Sequence, residues 1–181
     1  MANNCRKLLE LPVDDYEKAL FHFKMALPVL ESQLRGAHVS SAITHVNIGV
    51  LYENLGDYEK ALFHFNTALP VLESQLGGAH ESVASTKNNI GQVLRKQGKP
   101  ADAMKLFVEA KDIWRNSLDT SHPSYALANG NIAKIHILNR NYDEARALLE
   151  TAKSIFEKSL GSDHEFSKWA LKKLDSISSF R

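Results

Sequence analysis

A 24-residue segment beginning at Asp15, DYEKALFHFKMALPVLESQLRGAH, returns 42 residues later at Asp57 as DYEKALFHFNTALPVLESQLGGAH. The two differ only at Lys24/Asn66, Met25/Thr67 and Arg35/Gly77. The same step of 42 reaches KPADAMKLFVEAKDIWRNSLDTSH from Lys99 and NYDEARALLETAKSIFEKSLGSDH from Asn141. His38, His80, His122 and His164 mark one register through all four copies, without insertion or deletion. A fixed period of this length describes a supersecondary unit that cannot bury its apolar face alone and must stack on its neighbours. The 181 residues are therefore expected to form an array.

Within a period the apolar residues recur at helical spacing in two runs. In the second copy Ile43, Val46, Ile48, Val50, Leu51 and Leu55 form a first helix, A. Ala61, Leu62, Phe65, Ala68, Leu69 and Leu72 form a second, B. Gly56 between them suits a left-handed helix end, and Asp57 suits the N-cap that follows. Small residues hold fixed places: Gly49, Gly91 and Ala133 in helix A, and Ala19, Ala61, Ala103 and Ala145 in helix B. Ala26, Ala68, Ala110 and Ala152 recur one heptad later. Minimal side chains at these crossings let helices approach to about 8–10 Å. Ile48, Tyr52, Tyr58 and Phe65 fill the space beside them. Helix propensity alone would not keep a 42-residue register.

This small-large spacing, with Gly56 ahead of Asp57 and Tyr58, resembles the tetratricopeptide (TPR) repeat. The 42-residue period and the GAHxSxAxTxxNIGxLY phrase are similar to the kinesin light chain subfamily of that repeat. His122-Pro123 matches that subfamily's step into helix A; His38, His80 and His164 keep the histidine alone. The resemblance covers about residues 15–164 and implies an all-α fold, an α-solenoid of helix-turn-helix repeats wound as a right-handed superhelix. The expected organisation is one solenoid over 1–181: a degenerate or truncated first repeat at 1–37, full repeats at 38–79, 80–121 and 122–163, and a capping helix at 164–181.

The two ends differ. At the amino end, CRKLLELPVDD carries polar residues where helix A should pack, although Leu8, Leu9, Leu11 and Val13 could make an apolar turn or two. A degenerate cap or a fragment of a longer array both fit, and the uncovered first helix B favours the fragment. At the carboxyl end, Phe166, Trp169, Ala170, Leu174 and Ile177 oppose Lys168, Lys172, Lys173 and Asp175, as in a solvating cap. Pro28 and Pro70 fall inside the first two B helices, where a lost backbone hydrogen bond predicts a bend.

Composition limits the function classes. Hydrophobic residues are 44% of the chain, enough for a core, and the formal charge of +1 offers no global footprint for nucleic acid or an anionic membrane. Cys5 stands alone, there is no Asn-x-Ser/Thr sequence, and no apolar run is long enough to cross a bilayer, so a cytoplasmic protein is expected. Gly-rich phosphate loops, His-Glu-x-x-His and Gly-x-Ser-x-Gly are missing. The four link histidines stand about 10 Å apart, too far for shared metal ligation, and read as helix-start caps. His22 and His64 read as surface or packing residues. No enzyme activity, cofactor or metal is expected.

In a stack of this type the A helices line the concave surface. The residues there that packing does not consume are Ile43, Val46, Asn47, Val50 and Glu53 in the second copy. The third copy offers Ser85, Asn88, Asn89, Gln92, Arg95 and Lys96, with Lys87 close by, and the fourth offers Leu127, Gly130, Asn131, Lys134 and Ile137. Asn47, Asn89 and Asn131 recur at one position. In TPR domains that hold extended peptides, asparagine at this place often hydrogen-bonds the ligand backbone, since a carboxamide both donates and accepts; a structural bond between helices is the alternative reading. Asn47, Val50, Asn88, Asn89, Gln92, Arg95, Lys96, Asn131 and Lys134 are thus the expected peptide-binding set. Their partner would be a protein or peptide with an aromatic or aliphatic anchor beside acidic residues, as the resemblance to kinesin light chains also implies. The alternative is a homodimer through an exposed stripe of Leu20, Phe23, Leu27 and Leu30 on the first helix B.

Overall fold

The computed structural model describes residues 12–33 and 38–180, and Cys5, Leu8, Leu9 and Leu11 lie outside them. The described residues form eight α-helices and no strand: α1 (Val13–Gln33), α2 (Val39–Asn54), α3 (Tyr58–Leu76), α4 (Glu81–Lys96), α5 (Pro100–Ser117), α6 (Pro123–Leu138), α7 (Tyr142–Leu160) and α8 (Glu165–Ile177). Each helix packs on the next in the chain, and contact is densest within the pairs α2–α3, α4–α5 and α6–α7. This is an all-α solenoid of helix-turn-helix repeats. Both α1 and α3 continue through their proline as unbroken α-helix.

The turns and starts follow from the residues at fixed places. Gly56 (φ 80°) and Gly98 (φ 76°) end α2 and α4 in the left-handed region, and Arg140 (φ 62°) does so after α6. The link histidines cap the A helices as expected. Nδ1 of His38, His80 and His122 accepts the backbone N–H of Ser40, Ser82 and Ser124 at 3.1, 3.1 and 3.2 Å, and Nδ1 of His164 accepts that of Phe166 at 3.3 Å. Asp57 caps α3 through the N–H of Lys60 at 3.1 Å.

The closest packing lies within the A–B pairs. A Cβ added at Gly49 would stand 2.6 Å from the Phe65 ring, and one at Gly91 would stand 2.7 Å from the Phe107 ring. Phe65 and Phe107 are fully buried in consequence. In the last pair the same two places hold Ala133 and Leu149, so the added methyl meets a smaller partner. Ala61, Ala68, Ala103, Ala110, Ala145 and Ala152 are all inaccessible to solvent. Ala26, at the matching place in α1, is exposed, a departure from the expectation of a buried crossing. Its counterpart Ala68 is covered because α3 packs on both α2 and α4. At the far end α8 buries Ser167, Ala170 and Ile177 and exposes Lys168, Leu171, Lys172 and Asp175.

Gly91→Ala is expected to destabilise the fold by about 1–3 kcal/mol through overpacking against Phe107. Gly91→Ala with Phe107→Leu, which copies Ala133 and Leu149, should recover most of that loss in urea unfolding. A double variant no more stable than Gly91→Ala alone contradicts the packing account.

Candidate functional site

On α2, Ile43, Asn47 and Val50 fall on one helical face, and on α4 the matching face carries Ser85, Asn89 and Gln92. Ile43 and Ser85 are exposed, while Asn47, Val50, Asn89 and Gln92 are half-buried. Val46 is also half-buried and packs against the core. These side chains form a shallow surface along the A helices, apolar at α2 and polar at α4.

The remaining members of the expected set hold the A helices to one another. Asn88 of α4 and Asn131 of α6 are buried together, the Asn131 amide donating to Asn88 Oδ1 at 2.8 Å. Asn131 Oδ1 in turn accepts from Lys134 Nζ at 3.1 Å, and that ammonium lies 4.9 Å from the Trp169 ring centroid of α8. Lys96 of α4 bonds Glu53 of α2 at 3.0 Å, and Glu53 is buried. Arg95 is half-buried, with Nε enclosed and without a hydrogen-bond partner among the described residues. Asn88, Asn131 and Lys96 are thus committed within the fold, which corrects the expectation of a ligand-facing polar and basic row. Removing one partner from a buried hydrogen-bonded pair costs more than the bond itself contributes, so these groups are held in place. Lys87 is displaced further: it lies on the opposite face of α4, between the B helices, with Nζ 2.8 Å from Glu109 and 3.5 Å from Glu73. The hydrogen bond to Glu109 raises its pKa.

The stripe expected to mediate self-association turns inward. Leu20 is buried with Tyr16, Ile48 and Leu51, and Phe23 and Leu27 pack against that cluster. Leu30 is half-buried. The large hydrophobic side chains exposed on α1 are Val13, Phe21, Met25 and Val29, and Phe63 of α3 repeats the place of Phe21. Sequence reasoning passed over them because they lie off the helical stripe that packs; the recurrence of Phe21 at Phe63 was the available signal.

A histidine cluster between α1, α2 and α3 was also missed. Nδ1 of His45, which is buried, lies 2.8 Å from Nδ1 of His64, so one ring donates and the other accepts. His45 Nε2 lies 3.5 Å from Glu31 of α1. The His64 ring stacks on Tyr52 at 5.6 Å, and Tyr52 is flanked by Lys24 at 5.2 Å and Lys60 at 5.3 Å. Burial, then the His45 and Lys24 charges, push the His64 pKa down to about 4. Among the described residues no group of three His, Cys, Asp or Glu could hold a metal ion, and no helix is long and apolar enough to cross a membrane.

A histidine pKa depressed by folding means that the unfolded chain binds the extra proton between the two values. The contribution of His64 is therefore complete above about pH 6.5 and is lost as pH falls toward 4. His64→Leu, which copies Leu106 and Leu148 at the matching places, should flatten this part of the stability profile in urea unfolding at pH 7 and pH 4.5. An equally steep loss in the variant would place the titration elsewhere.

Two family models for the tetratricopeptide repeat match the chain, one over residues 1–74 and 124–174 and the other over 83–124. A search of curated proteins returned no match. Among solved structures, BtubC (BKLC) from P. vanneervenii superposes with a TM-score of 0.77 at 20% identity, over 90% of this chain and 65% of that one. The nearly identical TPR-like repeats of a Podosopora anserina putative kinesin light chain give 0.72 at 19%, over 97% and 83%. The apo form of RapI gives 0.73 at 18%, over 91% and 44%. The chain thus spans about two-thirds of BtubC and less than half of RapI, and these likenesses concern the fold.

Proposed function

Because the chain belongs to the tetratricopeptide repeat family, whose repeats are protein–protein interaction scaffolds, we propose that it binds an extended peptide segment of a partner along the A helices. The observation that carries this reading is the division of the A-helix side chains. Asn88, Asn131, Lys96 and Glu53 tie helices together, while Asn89 and Gln92 sit beside them with no such duty among the contacts described above. The carboxamides of Asn89 and Gln92 offer paired donors and acceptors to a peptide backbone. Ile43, Val46 and Val50 offer an apolar seat for an aromatic or aliphatic anchor. Charge has a smaller part than the sequence implied, since Lys96 and Lys134 already face Glu53, Asn131 and Trp169. A preference for acidic residues rests on Arg95 and on the outward side of those ammonium groups.

A second reading is supported by Phe21, Met25, Val29 and Phe63, whose exposure suits contact between two copies of the chain. The two readings separate in one experiment. Short peptides with one aromatic residue among Asp and Glu are measured by fluorescence anisotropy against the parent, Asn89→Ala/Gln92→Ala and Phe21→Asp/Phe63→Asp, with light scattering on each protein. A drop in affinity of roughly tenfold or more in Asn89→Ala/Gln92→Ala, worth about 1.4 kcal/mol, supports the groove. Unchanged affinity there contradicts it, and a dimer abolished only by Phe21→Asp/Phe63→Asp supports self-association.

A further inference from the structure

A cavity of about 300 Å³ opens between α1, α2 and α3, lined by Glu31, His38, Ser41, Ala42, His45, Thr67 and Val71. It is separate from the proposed peptide surface. Ser41 and His45 point to the side of α2 opposite Ile43, Asn47 and Val50, as their helical spacing requires.

The internal repeat shows what such a place holds when it is full. One period on, the same seven positions carry Glu73, His80, Val83, Ala84, Lys87, Glu109 and Ile113. There the Lys87 side chain runs between α3 and α5, its ammonium 2.8 Å from Glu109 and 3.5 Å from Glu73. Val83 is fully buried beside it, and Ile113 packs against the same cluster. Another period on, Tyr125 stands at the place of Ser41, with Lys111 5.4 Å from its ring centroid. The first junction departs from both. Ser41, Thr67 and Val71 are each smaller than Val83, Glu109 and Ile113, and the lysine is replaced by His45. Three reductions in volume and the loss of a four-carbon stem open the cavity. Of the two carboxylates that receive the lysine, Glu109 at 2.8 Å gives way to Thr67, while Glu73 at 3.5 Å is kept as Glu31. His45 Nε2, at 3.5 Å, is its basic neighbour there and is already engaged through Nδ1 with His64.

We propose that this cavity is a binding site for a primary alkylammonium group, which enters between α1 and α3, lays its methylenes on Ala42 and Val71, and pairs with Glu31. The intramolecular Lys87 is the template for this ligand: an ammonium at the end of a chain of methylenes, 3.5 Å from Glu73, the carboxylate whose place Glu31 holds. Thr67 and Ser41 supply hydroxyl acceptors for the remaining N–H groups. A lysine side chain of a partner and a free aliphatic amine share this chemistry.

The test is an NMR titration of the full chain at pH 7.5 with n-butylamine, with n-butanol as the uncharged isostere. Saturable shifts at Ala42, Thr67 and Val71 with the amine, at Kd on the order of millimolar for a ligand of this size, are expected; the alcohol should produce none. Glu31→Gln should weaken the amine at least tenfold. His45→Lys/Thr67→Glu rebuilds the Lys87–Glu109 arrangement inside the cavity, and should abolish amine binding while raising Tm. Equal shifts from amine and alcohol, or amine binding untouched by both variants, overturn the proposal. Nα-acetyl-lysine methylamide and putrescine, run in parallel, distinguish the sources: tighter binding of the former identifies a partner's lysine, tighter binding of the latter a free amine.

Discussion

The stack depends on contacts between a glycine and an aromatic ring. Gly49 meets Phe65, and Gly91 meets Phe107, at distances that leave no room for one methyl group. That approach sets how near helix A lies to helix B. The spacing in turn decides which neighbouring side chains become buried and which stay open. A buried aromatic ring contributes about 1.5–3 kcal/mol, but only if the opposite backbone comes within reach. The pair Ala133 and Leu149 reaches the same end with volume moved from one partner to the other.

Adjacent A helices are joined by a second kind of contact, which is polar. Glu53 and Lys96 bridge α2 and α4, and Asn88 and Asn131 bridge α4 and α6. At α6 and α8 the bridge is Gly130 under Trp169, where an added Cβ would stand 2.8 Å from the ring, with Lys134 over its face. These ties occupy much of the polar material on the side where a ligand would lie. What is left for recognition is narrower than the list of polar residues on that face.

The fold was legible because its signal is redundant. The 42-residue register, the small residues and the link histidines each specify the same helices, and His38, His80, His122 and His164 all cap as their position before a helix implies. The site was less legible. Asn88 and Asn89 are adjacent in sequence and look alike, yet a rotation of one residue places the first between helices and leaves the second half-open. Lys87 reads as a groove cation until Glu73 and Glu109 are seen on either side of it. Periodicity gives the face of a helix but not the identity of what lies against it, and the carboxylates that claim Lys87 come from two other helices. The His45–His64 pair, 19 residues apart, was hidden for the same reason.

In the proposed division of work, Asn88 holds the stack and its neighbour Asn89 meets a ligand. Urea unfolding of Asn88→Ala, Asn131→Ala, their double variant and Asn89→Ala tests it most directly. Each of the first two is expected to lose about 1–3 kcal/mol, the double clearly less than their sum, and Asn89→Ala should stay within about 0.5 kcal/mol of the parent. Additive losses at Asn88 and Asn131, or an Asn89→Ala as unstable as Asn88→Ala, would contradict it.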